Sequence, residues 1–586
     1  MSERFCFVQI TDLHIGYTTP QTIAEDLRRI EREMNGQAAF IAVTGDLTDS
    51  ATVEQFTGYV EAIKATSLKC YALPGNHDLH FAGGPENYQK YVGPFNYSFD
   101  HGGVHFVAYD SITAENGLKP TPWLLDDLAK CPPGQPVILL THYQLESSFF
   151  NQLKQFNLVA VLSGHWHSSR LYKDGATKHF NSPPVSFGGI DFFPRSYRVF
   201  TWDGAELNCR TVRLSSTAAK APATPGSGGP LKTLWTAPLG GEVLLGAPVV
   251  RHGRIYVSLM DEDRHEGGAV ACWDTATGRP LWRRNLGSSV KSSVTFDDKS
   301  IFAVTVTGRT VALDPATGEI RWSARIGDPS QRWIYQSPTV ADGRIFVGRG
   351  ECFLALDAAT GKTLWMRDNL TIAGKIHADW ISCYGSPVVS HNTLIVGFVG
   401  QAFFYALDPA SGETRWCRTD DSQATATPVP DGRGNILAVR QKCLEKLDVA
   451  TGETRWSTPL SDRYWLPASP LLKDTTAYIP GIDGKVHAFD LATGAMRWTW
   501  DGCSVGLLDM RAYSRNEKSI LATPQWFDGS ILLGSIDGRL YALDPATGQQ
   551  RWSHDLGVPV STTPAVAQDT IHLALIDGTL RALRPA

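Results

Sequence analysis

No uncharged apolar run in this 586-residue chain is long enough to cross a bilayer, so the sequence offers no membrane-spanning segment. Nor is there an excess of positive charge. Lys and Arg number 54 against 59 Asp and Glu, a net charge of −5, which gives no electrostatic reason for nucleic acid or an anionic membrane as partner. The ten cysteines include no C-x-x-C, no adjacent pair and no regular spacing, as expected of reduced, mostly buried thiols. The opening stretch RFCFVQITD (4–12) has no basic n-region, no apolar h-region and no small-residue cleavage site, and the expected location is cytoplasmic. What remains is a soluble chain, 42% hydrophobic and 19% charged, too long for a single core.

Residues 215–230, SSTAAKAPATPGSGGP, are small residues, Pro and Gly apart from Lys220, and read as a linker. The pattern changes across it. In residues 1–214, continuous apolar runs (FVQITD, AAFIAVTGD, KCYALPGNHD, PVILLTHY, LVAVLSGHWH) alternate with helical spacing, as at Ile23, Leu27, Ile30 and Met34. Further helices are expected near 51–65 and 122–130, and a hairpin around DHGG at 100–103. Strand–helix–strand order with strands buried on both faces predicts an α/β domain.

In residues 231–586 one unit recurs: ALDPATGEIRW (312–322), ALDAATGKTLW (355–365), ALDPASGETRW (406–416) and four further copies. Each follows a second shared element such as SPTVADGRIFVG. Two or three short alternating strands separated by D-G and T-G turns make a sheet too small to bury its own faces, which predicts a β-propeller. Trp235, Trp282, Trp322, Trp365, Trp416, Trp456, Trp498 and Trp552 count eight blades at intervals of 40 to 54 residues. The chain ends in a strand without a Trp and begins, after the linker, on a Trp strand with nothing before it. The first strand is therefore expected to complete the last blade.

The repeat resembles the blades of the quinoprotein-dehydrogenase-like (PQQ-repeat) eight-bladed propellers. In that family the repeat Trp and Gly dock neighbouring blades. The family's dehydrogenases commonly carry adjacent cysteines beside the quinone, and this chain has no Cys-Cys. PQQ is accordingly not expected, and the fold implies a platform that covers a site or binds a protein or ligand.

Before the linker, five polar clusters stand at expected strand ends: TDLH (Asp12, His14), TGDLTD (Asp46), PGNHD (Asn76, His77, Asp78), THY (His142) and SGHWH (His165, His167). Singly, Asp12 and Asp46 serve equally well as helix caps, PGNHD as a turn and His142 as a core histidine. Together they crowd carboxylates and imidazoles at one sheet edge, a costly arrangement without a cation. Their mixed N/O donors suit Mn, Fe, Zn or Ni. Gly45, Gly75 and Gly164 permit tight turns there.

The ordered set D-x-H, G-D, G-N-H-D, lone His and G-H-x-H resembles the calcineurin-like metallophosphoesterases, and the resemblance implies an αββα sandwich. It further implies that Asp12, His14, Asp46 and His167 hold one metal. Asp46 would bridge to a second, held also by Asn76, His142 and His165. His77 would face the leaving group, oriented by Asp78. The implied reaction is hydrolysis of a small-molecule phosphoester by a metal-bridging hydroxide. VQITDLHIG and LPGNHD look most like the class III cyclic-nucleotide phosphodiesterase branch, whose members often continue the lone His with His-Pro where this chain has Tyr143-Gln144. Tyr143 and Arg195 are candidate substrate contacts, with Arg195 solvated on a late strand as the equal alternative. A reading of another class is a propeller-based binding protein whose phosphoesterase domain is vestigial. In SGHWH, extended backbone would turn both imidazoles to one side and Trp166 to the other.

Overall fold

The computed structural model describes residues 3–113, 117, 119–217, 230–264, 266–331, 336–350 less Gly350, 352–368, 370, 385–397, 404–419, 425–440, 442–460, 466–481 and 483–586. Residues 218–229 of the expected linker lie outside them.

The N-terminal region packs two sheets face to face. Strands β1 (Phe5–Ile10), β2 (Ala38–Thr44), β3 (Lys69–Leu73), β10 (Ser196–Trp202) and β11 (Leu207–Arg213) form one, in the order β11-β10-β1-β2-β3. The other, in the order β4-β5-β6-β7-β9-β8, comprises β4 (Tyr97–His101), β5 (Val104–Ala108), β6 (Pro136–Leu140), β7 (Asn157–Ser163), β8 (Arg170–Asp174) and β9 (Thr177–Asn181). Strand alternation assigns the faces. Phe7, Phe40, Phe106, Ile138, Phe180 and Phe200 fill the space between the sheets. Val8, Ile10 and Ile41 point outward to α1 (Pro20–Met34) and α2 (Val53–Ile63), while Val107, Leu139 and Val161 point outward to α3 (Pro122–Leu128).

Helix α1 buries the expected Ile23, Leu27, Ile30 and Met34. It starts where the Thr19 hydroxyl accepts the Thr22 N–H with Pro20 in the first turn, and it stops at a left-handed Asn35. The result is the αββα sandwich.

The C-terminal region is eight four-stranded sheets in a ring. The sequence suggested only two or three strands per blade because the innermost is two or three residues long, as at Thr295–Phe296 and Val249–Arg251. That is too short to show alternation. Ring closure is the expected one: Leu231–Pro238 pairs antiparallel with Thr579–Pro585 and completes the last blade.

The Asp, Gly and Trp of the repeat each have a mechanical task. In the blade at 312–322, Asp314 Oδ1 accepts from the N–H of Ala316 (2.7 Å) and Thr317 (3.0 Å), closing the turn. Trp282 of the preceding blade donates its indole N–H to the Pro315 carbonyl at 3.2 Å and lies flat against Gly318. Gly318 has φ +71, and a Cβ there would run into the indole, so two independent reasons demand glycine. The same pairing recurs at Trp235–Gly278, Trp322–Gly361, Trp365–Gly412, Trp416–Gly452, Trp456–Gly494 and Trp498–Gly548.

Around the axis, hydroxyls link blade to blade: Ala247 N–H donates to Ser293, Ser293 to Ser337, Ser337 to Ser386, and Ser386 to Thr427, all at 2.9–3.1 Å.

The two regions meet through buried charge. Lys291 of the propeller is 2.7 Å from Asp191 and 3.4 Å from Glu262. Burial pulls its pKa down, but the two carboxylates outweigh that and leave it above the ordinary lysine value. Arg198 donates to the Glu262 carbonyl at 2.8 Å, and Arg170 to the Ser330 carbonyl at 3.0 Å. Propeller and sandwich are thus joined by ion pairs and hydrogen bonds withdrawn from water, where each unmet partner would be costly.

Candidate metal centre

Five strand ends from both sheets deliver the polar residues to one cleft: Asp12 and His14 follow β1, Asp46 follows β2, Asn76 follows β3, His142 follows β6, and His165 and His167 follow β7. The backbone ladder continues past the strands and fixes the loops against one another. Asp12 N–H donates to Gly45 O (3.1 Å), His14 N–H to Asp46 O (3.0 Å) and Gly164 N–H to His142 O (3.0 Å).

The side chains fall into two groups that share Asp46. Asp12, His14, Asp46 and His167 have donor atoms within 4.8 Å of one another, and so do Asp46, His142 and His165. Asn76 Oδ1 lies 3.1 Å from His142 Nε2, on the second side. A third grouping, His14, Asp49 and His77, adjoins the first. Within the first, His14 Nε2 and His167 Nε2 are 3.2 Å apart, and Asp12 Oδ1 is 3.2 Å from His167 Nε2.

The donor set fits metal ions. Asp12 Oδ2 is fully buried and accepts no hydrogen bond in the structure, an orphan that a cation would satisfy. Protons stand in for charge meanwhile. Burial lowers the His142 pKa, but the Asp46 carboxylate outweighs it and holds the imidazole up at about 9. Asp46 is buried, which would raise its pKa, yet His142, His14 and His77 bring it well below the ordinary carboxylate range. Metal entry must displace the His142 proton, as ligation requires the neutral ring.

Backbone strain concentrates here. Asp12, His14, Asp46, His165 and His167 all have positive φ, between 45° and 64°, a conformation that costs about 1–2 kcal/mol per non-glycine residue. The His165–His167 stretch is therefore a left-handed turn rather than extended backbone. Both imidazoles still reach the cleft, while Trp166 is buried beneath the Arg170 guanidinium, 5.4 Å from its ring.

The glycines differ from expectation too. Only Gly45 has a left-handed φ (+93). Gly75 and Gly164 are needed for room: a Cβ would collide with Asp46 Oδ1 at Gly75 and with Thr11 Oγ1 at Gly164.

Two further expectations need correction. Asp78 does not touch the His77 ring; its carboxylate accepts from the N–H groups of Leu47 (3.1 Å), Thr48 (3.0 Å) and Gly75 (2.9 Å) and from the Thr48 hydroxyl (2.8 Å). It braces the turn that carries Asp46, and burial together with the Asp46 charge raises its pKa to about 6. His77 is oriented by Asp49, whose carbonyl lies 2.7 Å from His77 Nδ1. Asp49 also places Oδ1 3.3 Å from His14 Nδ1.

Arg195 is not in the cleft. It is wholly buried, donating to Asp26 (2.9 Å), Asp509 (2.8 Å) and the Ser215 carbonyl (3.0 Å). It clamps sandwich to propeller. Arg195→Ala is expected to destabilise that docking by about 3–5 kcal/mol, because Asp509 would remain buried without this cation and Asp26 would keep only Arg515, 3.1 Å away. Thermal unfolding of the full chain measures this, and an unchanged midpoint would refute the clamp. Tyr143, by contrast, lies beside the second group, its ring 4.3 Å from that of His165.

The family model of the calcineurin-like phosphoesterases matches residues 6–169, and that of outer membrane protein assembly factor BamB matches 266–500 and 512–586. The chain belongs to the BamB family by its propeller and carries a calcineurin-like phosphoesterase domain before it. The propeller match spans over half the chain, and the sandwich is the part similar to the calcineurin-like phosphoesterases. Outer membrane protein assembly factor BamB of Bordetella pertussis is 23% identical over 331 residues, 54% of this chain and 78% of that protein. A 3′,5′-cyclic-nucleotide phosphodiesterase of Nostoc sp. is 25% identical over 214 residues, 30% of this chain and 77% of its own. Among solved structures, BamB from Moraxella catarrhalis shares 17% identity and a TM-score of 0.47, covering 60% of this chain and 97% of its own.

Sequence reasoning missed Asp49 in the phosphoesterase cleft, although it stands in the same TGDLTD run as Asp46. It also missed the aromatic residues Tyr17, Phe187 and Tyr513 around it.

Proposed function

We propose that this phosphoesterase hydrolyses a phosphoester of a small molecule with two metal ions. Asp12, His14, Asp46 and His167 hold one ion; Asp46, Asn76, His142 and His165 hold the other. The observation that carries the reading is the sharing of Asp46 between two donor groups, the first of them wholly buried. Bound there, two divalent cations supply charge to the phosphoryl oxygens and bring the pKa of a water in the cleft to about 7.

The chain's own residues do the rest. Asp78 holds the Asp46 turn through four hydrogen bonds. His77, with Nδ1 donating to the Asp49 carbonyl, presents Nε2 to the departing oxygen as proton donor. A diester, with the 3′,5′-cyclic nucleotides as its class, is supported by the likeness to the Nostoc enzyme.

Chelated full-length protein is expected to lose activity by at least about 10²-fold and regain it with Mn²⁺, Fe²⁺, Zn²⁺ or Ni²⁺. The panel comprises aryl monoesters, aryl diesters, cyclic nucleotides and sugar phosphates. Full turnover by metal-free protein would sink the reading.

A further inference from the structure

We propose that the propeller completes the substrate site: Tyr513, with Phe187 and Tyr17, forms an aromatic wall over the His14 and His167 side of the cleft that selects phosphoesters bearing a flat ring. The inference rests on the phosphoesterase reading above. Tyr513 stands in the propeller segment that follows the strand Met496–Trp500, yet its ring lies 5.3 Å from that of His167 and 6.1 Å from that of His14. Phe187 packs 4.7 Å from Tyr513 and 5.3 Å from His167, and Tyr17 lies 5.4 Å from Tyr513. Three aromatic rings from three parts of the chain thus frame one pair of metal-site imidazoles.

The wall is held rigidly. The Tyr17 hydroxyl donates to the Tyr513 carbonyl. Gly188 lies against the backbone of Met510 and Arg511 so closely that a Cβ there would collide with both. Asp509 accepts from Arg195 Nε at 2.8 Å and from the Asn516 N–H at 2.7 Å, fixing the segment on both sides of Tyr513. At the summit Tyr513 adopts φ 54°, a strained conformation for an aromatic residue, like five of the cleft's own polar residues.

Phe187 is fully buried and backs the wall, but packing alone does not account for the rings in front of it. Tyr17 is 51% exposed, Tyr513 38%, and Phe81, whose ring is 5.9 Å from that of His77, 43%. Large apolar surface left to water beside buried carboxylates has the character of a binding wall. A ring attached to a phosphate held in the cleft would stack there, whether aryl group or nucleobase, since both present a π face.

Calorimetric binding to Mn²⁺-loaded full-length protein tests this with ligands that cannot be hydrolysed: methylphosphonate, phenylphosphonate and the methylene phosphonate analogue of adenosine 5′-monophosphate. The ring-bearing pair should bind about tenfold tighter than methylphosphonate. Tyr513→Ala should reduce that preference to within about twofold while leaving methylphosphonate affinity unchanged, and Tyr513→Phe should keep it. The stronger of the two ring ligands identifies the source of the ring.

A preference untouched in Tyr513→Ala, or equal weakening of all three ligands, would overturn the proposal; the latter is what a merely structural residue would do. Binding is read without turnover. A parent protein that binds and never hydrolyses would overturn the phosphoesterase reading while still deciding the role of Tyr513.

Discussion

Asp46→Asn is expected to lower turnover on the order of 10³-fold or more and to leave at most one metal ion per chain. Asp46 is the one carboxylate common to both donor groups, with Oδ2 3.5 Å from His14 Nε2 and 3.2 Å from His142 Nε2. Removing its charge weakens both sites at once, whereas replacing His165 or His167 removes a donor from one. Asparagine is the informative replacement because its carbonyl oxygen can still accept the His77 N–H that Asp46 Oδ1 accepts at 2.9 Å. The turn should therefore survive, and lost activity would report charge rather than unfolding. Metal content after dialysis, measured beside turnover of a 4-nitrophenyl phosphoester, decides the matter. Two ions and parental turnover in Asp46→Asn would end the dinuclear proposal.

The polar cleft was legible in the sequence because its residues sit next to strand ends, and strand ends announce themselves as apolar runs stopping at Asp, Asn or His. The propeller was legible because one unit recurs with its Trp and Gly in place, and the structure gives each a steric task. Arg195 defeated that logic. It follows FGGIDFFP, a context as suited to a pocket as to an interface, and only the fold shows Asp509 beside it. Asp78 was misjudged for a related reason. Adjacency to His77 suggested a pair, but in a four-residue helix successive side chains point in different directions, and Asp78 turns back to the Asp46 loop.

Tyr513 had a signal of another kind. The 54 residues from Trp498 to Trp552 are the longest interval in the repeat, and the surplus falls in the segment that reaches the cleft. A propeller blade does not need those residues to form its sheet, so their presence pointed away from the ring. Where they go is a tertiary fact, since Tyr17 and Tyr513 meet from opposite ends of the chain.

His77→Ala is expected to lower turnover by about 10²–10⁴-fold on esters with a poor leaving group, and far less on 4-nitrophenyl esters. The distinction follows from the ring's anchoring. With Nδ1 donating to the Asp49 carbonyl at 2.7 Å, the imidazolium has its second proton on Nε2, where a departing oxygen can take it. An alkoxide needs that proton to leave; 4-nitrophenolate, a stable anion at neutral pH, hardly does. The His77 ring stands 4.6 Å from that of His14, and its side chain retains 27% of its exposure, so it faces the cleft rather than the core. Paired measurements on a 4-nitrophenyl ester and an alkyl ester in parent and His77→Ala give the ratio directly. Equal losses on the two would overturn the assignment of His77 as proton donor, since the His77 backbone N–H that Asp46 accepts is kept in alanine. Asp49 reports on the same device: because its backbone carbonyl orients the ring, Asp49→Ala should keep the parent's tolerance of poor leaving groups, which His77→Ala loses.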